Sequence, residues 1–249
     1  RDFSTSESKI EDGSEYAFEL ARASGLSGEG RVQRMDKVVA HVVRHFEHLF
    51  NGIRSEEKQV LGTFHKWLTV NYESFLSREH WNRKIPGQLS FCDYSQGSHQ
   101  ALVVSFKTQP DFEIVFEVIL ALVSGCGLTV NCRNNASYDW WMGFRDILVE
   151  YGISKENFDV YFVTEALLKS TLAEVELKHL LIDGSIEEVR QVSSWSYENY
   201  KEHKNMRNII SKYDMSDIND FKRICRQYVN IRSFAVNTMR HGAPMGVVL

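Results

Sequence analysis

The stretch from Ala101 to Arg133 constrains this chain more than any other. Ala101-Leu102-Val103-Val104-Ser105-Phe106 is a short apolar run of strand length, and Leu128-Thr129-Val130-Asn131-Cys132 is a second. Between them, Phe112 to Val123 has the length and composition of a helix. Two buried-type strands joined by a helix form a βαβ unit, which commits the fold to a parallel sheet. The pattern continues, with Asp139–Tyr151 as a helix, Phe158–Val163 as a strand and Glu165–Leu172 as a helix. His179–Ile182 then reads as a fourth strand, and Ile186–Val192 opens another helix. The expected fold class is therefore α/β and Rossmann-like, a mostly parallel sheet with helices on both faces.

What flanks this core is different. Residues 1–30 are rich in Ser and Gly and read as a linker or extended lead-in. Residues 31–84 read as a helical hairpin. Val32, Met35, Val38, Val39, Val42, Phe46 and Phe50 make one apolar stripe, ended by Asn51-Gly52. Val60, Leu61, Phe64, Trp67, Leu68 and Phe75 make the next, with Ser55 as its cap. Pro86-Gly87 opens the α/β domain, 85–230. Residues 196–215 are polar and carry no clear pattern, and Asp217 caps a helix running to about Val229. The segment 231–249 starts with an alternating strand, Ile231 to Asn237.

The chain has 249 residues, 43% apolar and 25% charged, with a net charge of −4. That balance gives no global attraction to nucleic acid or an anionic membrane. The basic run Lys201, His203, Lys204, Arg207 and Lys212 lacks the interleaved aromatics of a nucleic-acid groove and reads as a solvated face. No apolar run is long enough to cross a membrane, and no signal peptide is visible. Cys92, Cys126, Cys132 and Cys225 form no CxxC pair, as expected of reduced thiols in the cytoplasm. A start at Arg1 is expected of a piece of a longer polypeptide.

Chemistry is sparse. Gly25-x-x-Gly28-x-Gly30 is the wrong order for a dinucleotide loop, and Gly125-Cys126-Gly127 lies where a helix should be capped. Gly184 and Ser185 follow a strand and precede a helix, where free N–H groups attract anions; they are the candidate cofactor-binding residues. Ser185 is equally a plain N-cap. His41, His45 and His48 recur at i, i+4 and i+7, but Val42 stands where HExxH places its Glu, and no third ligand is obvious nearby. They read as a polar helix face, and no metal site is expected. No nucleophile elbow or activated cysteine motif occurs.

Three segments resemble the C-terminal region of the long proline utilization A proteins. Ser77-Arg78-Glu79-His80 with Ile85-Pro86-Gly87-Gln88 is similar to "SREHD…LPGQDN", with Trp81 for the Asp and Leu89-Ser90 for the Asp-Asn. Ser124 to Val130 resembles the aldehyde-dehydrogenase step "AAGNAV". Arg232, Val236, Asn237, Thr238 and Gly242 match "R-x-x-x-V-N-T…G", the most specific of the three. The resemblance touches residues from Ser77 to the end. It implies an aldehyde-dehydrogenase-like domain of a bifunctional enzyme that oxidises proline to glutamate with FAD and NAD.

The departures imply that this domain is noncatalytic and holds no cofactor itself. The "ELGGK" and "GQ-x-C" strings are missing, the cofactor lysine aligns with Cys132 or Arg133, and the "FTGS" turn keeps only Gly184-Ser185. The implied partner is the catalytic aldehyde dehydrogenase module of the same or another chain in a homo-oligomer. The C-terminal motif would pack on that module and cover the channel for the intermediate. Two other readings stay open: a fragment of a divergent NAD-dependent aldehyde dehydrogenase, and an independent scaffold or regulatory domain.

Overall fold

A computed structural model describes residues 28–50, 55–75, 81–83, 90–97, 101–174, 177, 179–203, 208–210 and 221–236. In chain order the elements are helices α1 (Gly28–Arg44), α2 (Phe46–Leu49) and α3 (Ser55–Phe75), then strands β1 (Trp81–Arg83), β2 (Ser90–Gly97) and β3 (Ala101–Ser105). Next come α4 (Phe112–Ser124), β4 (Leu128–Cys132), α5 (Asn135–Glu150), β5 (Phe158–Phe162), α6 (Glu165–Glu174) and β6 (His179–Asp183). The chain continues with α7 (Ile186–His203), β7 (Asn208–Ile210), α8 (Phe221–Gln227) and β8 (Val229–Val236).

The expected Rossmann-like architecture is present. A five-stranded parallel sheet has the order β5-β4-β3-β6-β7. Strands β3, β4 and β6 are buried along their whole length, as strands covered on both faces must be. Side chains alternate between two cores. Val103, Val130 and Leu181 face the core shared with α1, α3, α4, α5 and α8, whereas Leu102, Val104, Leu180 and Ile182 face Leu168, Leu172 and Val192 of α6 and α7. Strand β7 falls in the polar stretch that showed no pattern; Ile209 and Ile210 are its only apolar residues.

Some local expectations are corrected. Gly28 and Gly30 begin α1 instead of belonging to the lead-in, and Ser55 is the first residue of α3 instead of its cap. The first helix also does not run unbroken to Phe50. It kinks at His45 (φ −104°, ψ 17°), and Phe46 and Phe50 both reach Phe112, at 5.6 and 5.7 Å between ring centroids. The Asn51-Gly52 stop, Pro86-Gly87, the Asp217 cap and most of the 1–30 lead-in lie outside the described residues.

The α1 helix docks through two arginines one turn apart. Arg31 donates from Nε to the Val123 carbonyl (3.0 Å), and Arg34 donates to the Gly152 carbonyl (2.7 Å). Each guanidinium meets the carbonyl end of a helix, α4 or α5, where a cation complements the macrodipole. Both helices end in a left-handed glycine, Gly125 (φ 92°) and Gly152 (φ 82°). At Gly125 a second reason applies, since a Cβ there would come within 2.3 Å of Arg31 Nη1.

Strands β1, β2 and β8 form a separate three-stranded antiparallel sheet in that order. The expected C-terminal strand thus pairs with β2 of its own chain along eight residues, Ser90↔Val236 through Gly97↔Val229. Its lead-in is anchored by Tyr228, which is fully buried and hydrogen-bonds Glu117 of α4.

Candidate functional site at the carboxyl edge of the sheet

The strand order reverses at β3. From there the chain moves through β4 to β5 on one side and reaches β6 and β7 on the other. In open α/β sheets this reversal creates a crevice outside the carboxyl ends of the strands, where ligands bind. Here it lies between Ser105 and Asp183, the last residues of β3 and β6, which are register partners. Helices α4, α5, α6 and α7 all start on this edge, so their free N–H groups collect around it.

At each helix start the chain's own side chains take one or two of those donors. At the start of α4, the Asp111 N–H donates to Asp183 Oδ1 (3.3 Å), and Ser105 Oγ donates to Asp183 Oδ2 (3.0 Å). Ser137 of α5 extends the chain to Ser105 Oγ (2.8 Å). Asp183 is 1% exposed. Burial pushes its carboxyl up to about 7, against the opposing pull of the Asp111 N–H, the Ser105 hydroxyl and Lys107. Lys107 is ion-paired with Asp111, whose carboxylate holds the ammonium above its usual range although burial opposes the charge.

The other helix starts are closed similarly. Asn134 caps α5, accepting from the Ser137 N–H (2.8 Å) while its amide donates to the Phe106 carbonyl (2.6 Å). Thr164 Oγ1 accepts from the Leu167 N–H at the start of α6 (3.3 Å). At α7 the Ser185 N–H donates to Glu188 Oε2 (2.7 Å), and the Glu188 N–H donates to Ser185 Oγ (3.3 Å). This is a reciprocal capping box.

The candidate pair Gly184 and Ser185 therefore lies on the crevice, with the Ser185 N–H bonded to a carboxylate of its own chain. Gly184 leaves room for close approach within the chain, since a Cβ would meet Glu188 Oε2 at 2.9 Å and Phe106 Cδ2 at 3.1 Å. At the position resembling the cofactor lysine, Arg133 donates to the Val163 carbonyl. Cys132 is fully buried, and burial pushes its thiol up to about 12, the opposite of an activated nucleophile. Arg232 and Val236 stand in β8 opposite Tyr94 and Ser90, in the separate antiparallel sheet. Asn237, Thr238 and Gly242 lie outside the described residues. Sequence reasoning placed Asp183 beside the candidate pair but missed its partners Ser105 and Ser137. The available signal was that polar residues close two apolar strand runs.

No protein-family model matches the chain, and no curated protein sequence does. Solved structures do. The chain is similar to the betaine aldehyde dehydrogenase of Staphylococcus aureus solved with NAD+ (14% identity, TM-score 0.55), over 80% of this chain and 41% of that one. An NAD-dependent benzaldehyde dehydrogenase from Corynebacterium glutamicum (12%, TM-score 0.55) matches over 82% and 46% of the two chains. An NAD-dependent aldehyde dehydrogenase from Sinorhizobium meliloti (15%, TM-score 0.56) matches over 80% and 42%. The chain thus spans less than half the length of these structures. The likeness shows the fold, that of an aldehyde dehydrogenase's α/β domain.

Proposed function

We propose that this chain is part of a divergent aldehyde-dehydrogenase-like protein and that its own crevice serves structure instead of catalysis. The comparisons favour a divergent aldehyde dehydrogenase fragment over a proline-specific assignment, because the similar structures are aldehyde dehydrogenases whose names say nothing of proline. One observation carries the noncatalytic part. At two helix starts that could receive a dinucleotide's phosphates, one N–H is already bonded to a carboxylate of the chain, Asp111 N–H to Asp183 before α4 and Ser185 N–H to Glu188 before α7. A phosphate entering there would meet the charge of Glu188 and, above about pH 7, that of Asp183, and would have to displace the hydrogen bonds that offset burying Asp183. The residues present therefore do not fit NAD in this crevice.

The finer reading rests on the proline utilization A resemblance. In that reading the chain belongs to a bifunctional proline-oxidising enzyme that uses FAD and NAD elsewhere, and it closes the path between two sites. Strand β8 supports this reading. Among the described residues it is an outer strand of its sheet and carries Arg232 and Val236 of the C-terminal motif. An outer strand offers main-chain groups to a partner module. Confining a reactive intermediate would raise its effective concentration at the second site.

The test is Asn237→Ala in the longest natural form of the protein, which leaves β8 intact. Released intermediate should rise while each half-reaction, assayed separately, keeps its rate. Unchanged release, or a protein with neither half-reaction, contradicts the channel reading.

A further inference from the structure

The three histidines read as a polar helix face do not point apart. His41, His45 and His48 line one groove of about 410 Å³ between α1–α2 and α5, whose opposite wall carries Asp139, Trp140, Phe144 and Ile147. The sequence showed no acidic residue beside them because Asp139 is about a hundred residues away and lines the same groove only when α5 packs beside α1. Gly143 leaves the groove open, since a Cβ there would meet nothing within 4 Å.

The histidine geometry goes beyond shared location. His45 N–H bonds the His41 carbonyl at 3.0 Å, so one helical turn separates them despite the kink, and their ring centroids are 4.5 Å apart. Two imidazoles at that spacing can share one ion. His41 Nδ1 lies 3.0 Å from the Tyr151 hydroxyl. With Nδ1–H donating to the phenol oxygen, the ring is pinned and Nε2 carries the lone pair. A hydrogen bond on the far nitrogen is how ligating histidines are normally oriented.

We propose that His41 and His45, facing Asp139 across this groove, bind a borderline divalent transition-metal cation of the zinc type. Imidazole nitrogen suits such ions better than magnesium or calcium. Among the described residues no set of three His, Cys, Asp or Glu side chains is already gathered as metal ligands. The site is therefore an open two-imidazole one, completed by water or by rotation of Asp139.

The test is a Zn²⁺ titration of the untagged, chelator-stripped chain by calorimetry, repeated with Co²⁺ to read coordination from its visible spectrum. Saturable one-to-one binding is expected. His45→Ala should weaken it at least tenfold without changing the melting temperature of the metal-free protein, because His45 is exposed. Tyr151→Phe should weaken it by roughly tenfold, the loss typical of an orienting partner. His65→Ala, whose ring pairs instead with Asp36, should bind as wild type. No saturable binding overturns the proposal, and so does binding that His45→Ala leaves unchanged.

Discussion

The two edges of the parallel sheet are built by opposite charges toward different ends. At the amino edge, Arg31 and Arg34 meet the carbonyl ends of α4 and α5. At the carboxyl edge, Asp183 and Glu188 meet the N–H ends of α4 and α7. Both arrangements complement the helix dipole. The difference is what each displaces. The amino edge of such a sheet has no ligand to receive, so its arginines only tie α1 to the α/β core. The carboxyl edge is where the fold ordinarily admits an anion, and here the chain supplies the anions itself. A crevice built like a structural joint is the main reason to read this domain as noncatalytic.

The amino edge gives the largest expected effect. Gly125→Ala combines a left-handed backbone with a collision against Arg31, and should cost roughly 2–3 kcal/mol in urea denaturation. Gly152→Ala has similar backbone strain but places its Cβ 3.5 Å from Arg34, an ordinary contact, so about 1 kcal/mol is expected. Equal losses would mean that the Arg31 contact is unimportant and only the backbone matters.

A smaller effect separates the buried acids from the surface. Burial raises Glu117, bonded to Tyr228, to about 7, and Asp183 likewise to about 7. The folded protein then holds protons that the unfolded chain has released. Their stabilising contribution is complete below about pH 4 and is lost as pH rises to about 7. Melting temperature should fall across that window, less steeply in Asp183→Asn and in Glu117→Gln. A flat profile in the wild type would contradict buried, proton-holding carboxyl groups. Tyr228→Phe, which removes a buried partner from Glu117, should cost about 1–3 kcal/mol by the same denaturation measurement.

The smallest effect belongs to the capping box. Ser185→Ala should cost about 1 kcal/mol, the usual worth of a lost N-cap. A much larger loss, or a gain of nucleotide binding, would mark Ser185 as more than a cap.

Much of the fold was legible because its signals are local. Strands β3, β4 and β6 are unbroken apolar runs, and α1 and α3 have regular stripes. Strand β2 was missed because Ser90–Gly97 mixes polar and aromatic residues without alternation, and it is defined by pairing with β8, far along the chain. Strand β7 was missed because three residues are too few to make a pattern. The site was less legible. Gly184 and Ser185 were found from their place between strand and helix, but Asp183 bonds Ser105 across 78 positions. Nothing in a single sequence announces that pairing. The histidine spacing was visible, whereas the groove that gives it a second wall was not.

The most direct test of the account is an NAD+ titration of the intact chain by calorimetry, at millimolar cofactor and pH 7.5 to 8, where Asp183 should be ionised. The account predicts no saturable heat and no rise in melting temperature. Saturable binding that Ser185→Ala or Asp183→Asn alters would contradict it, and would mark the crevice as a nucleotide site.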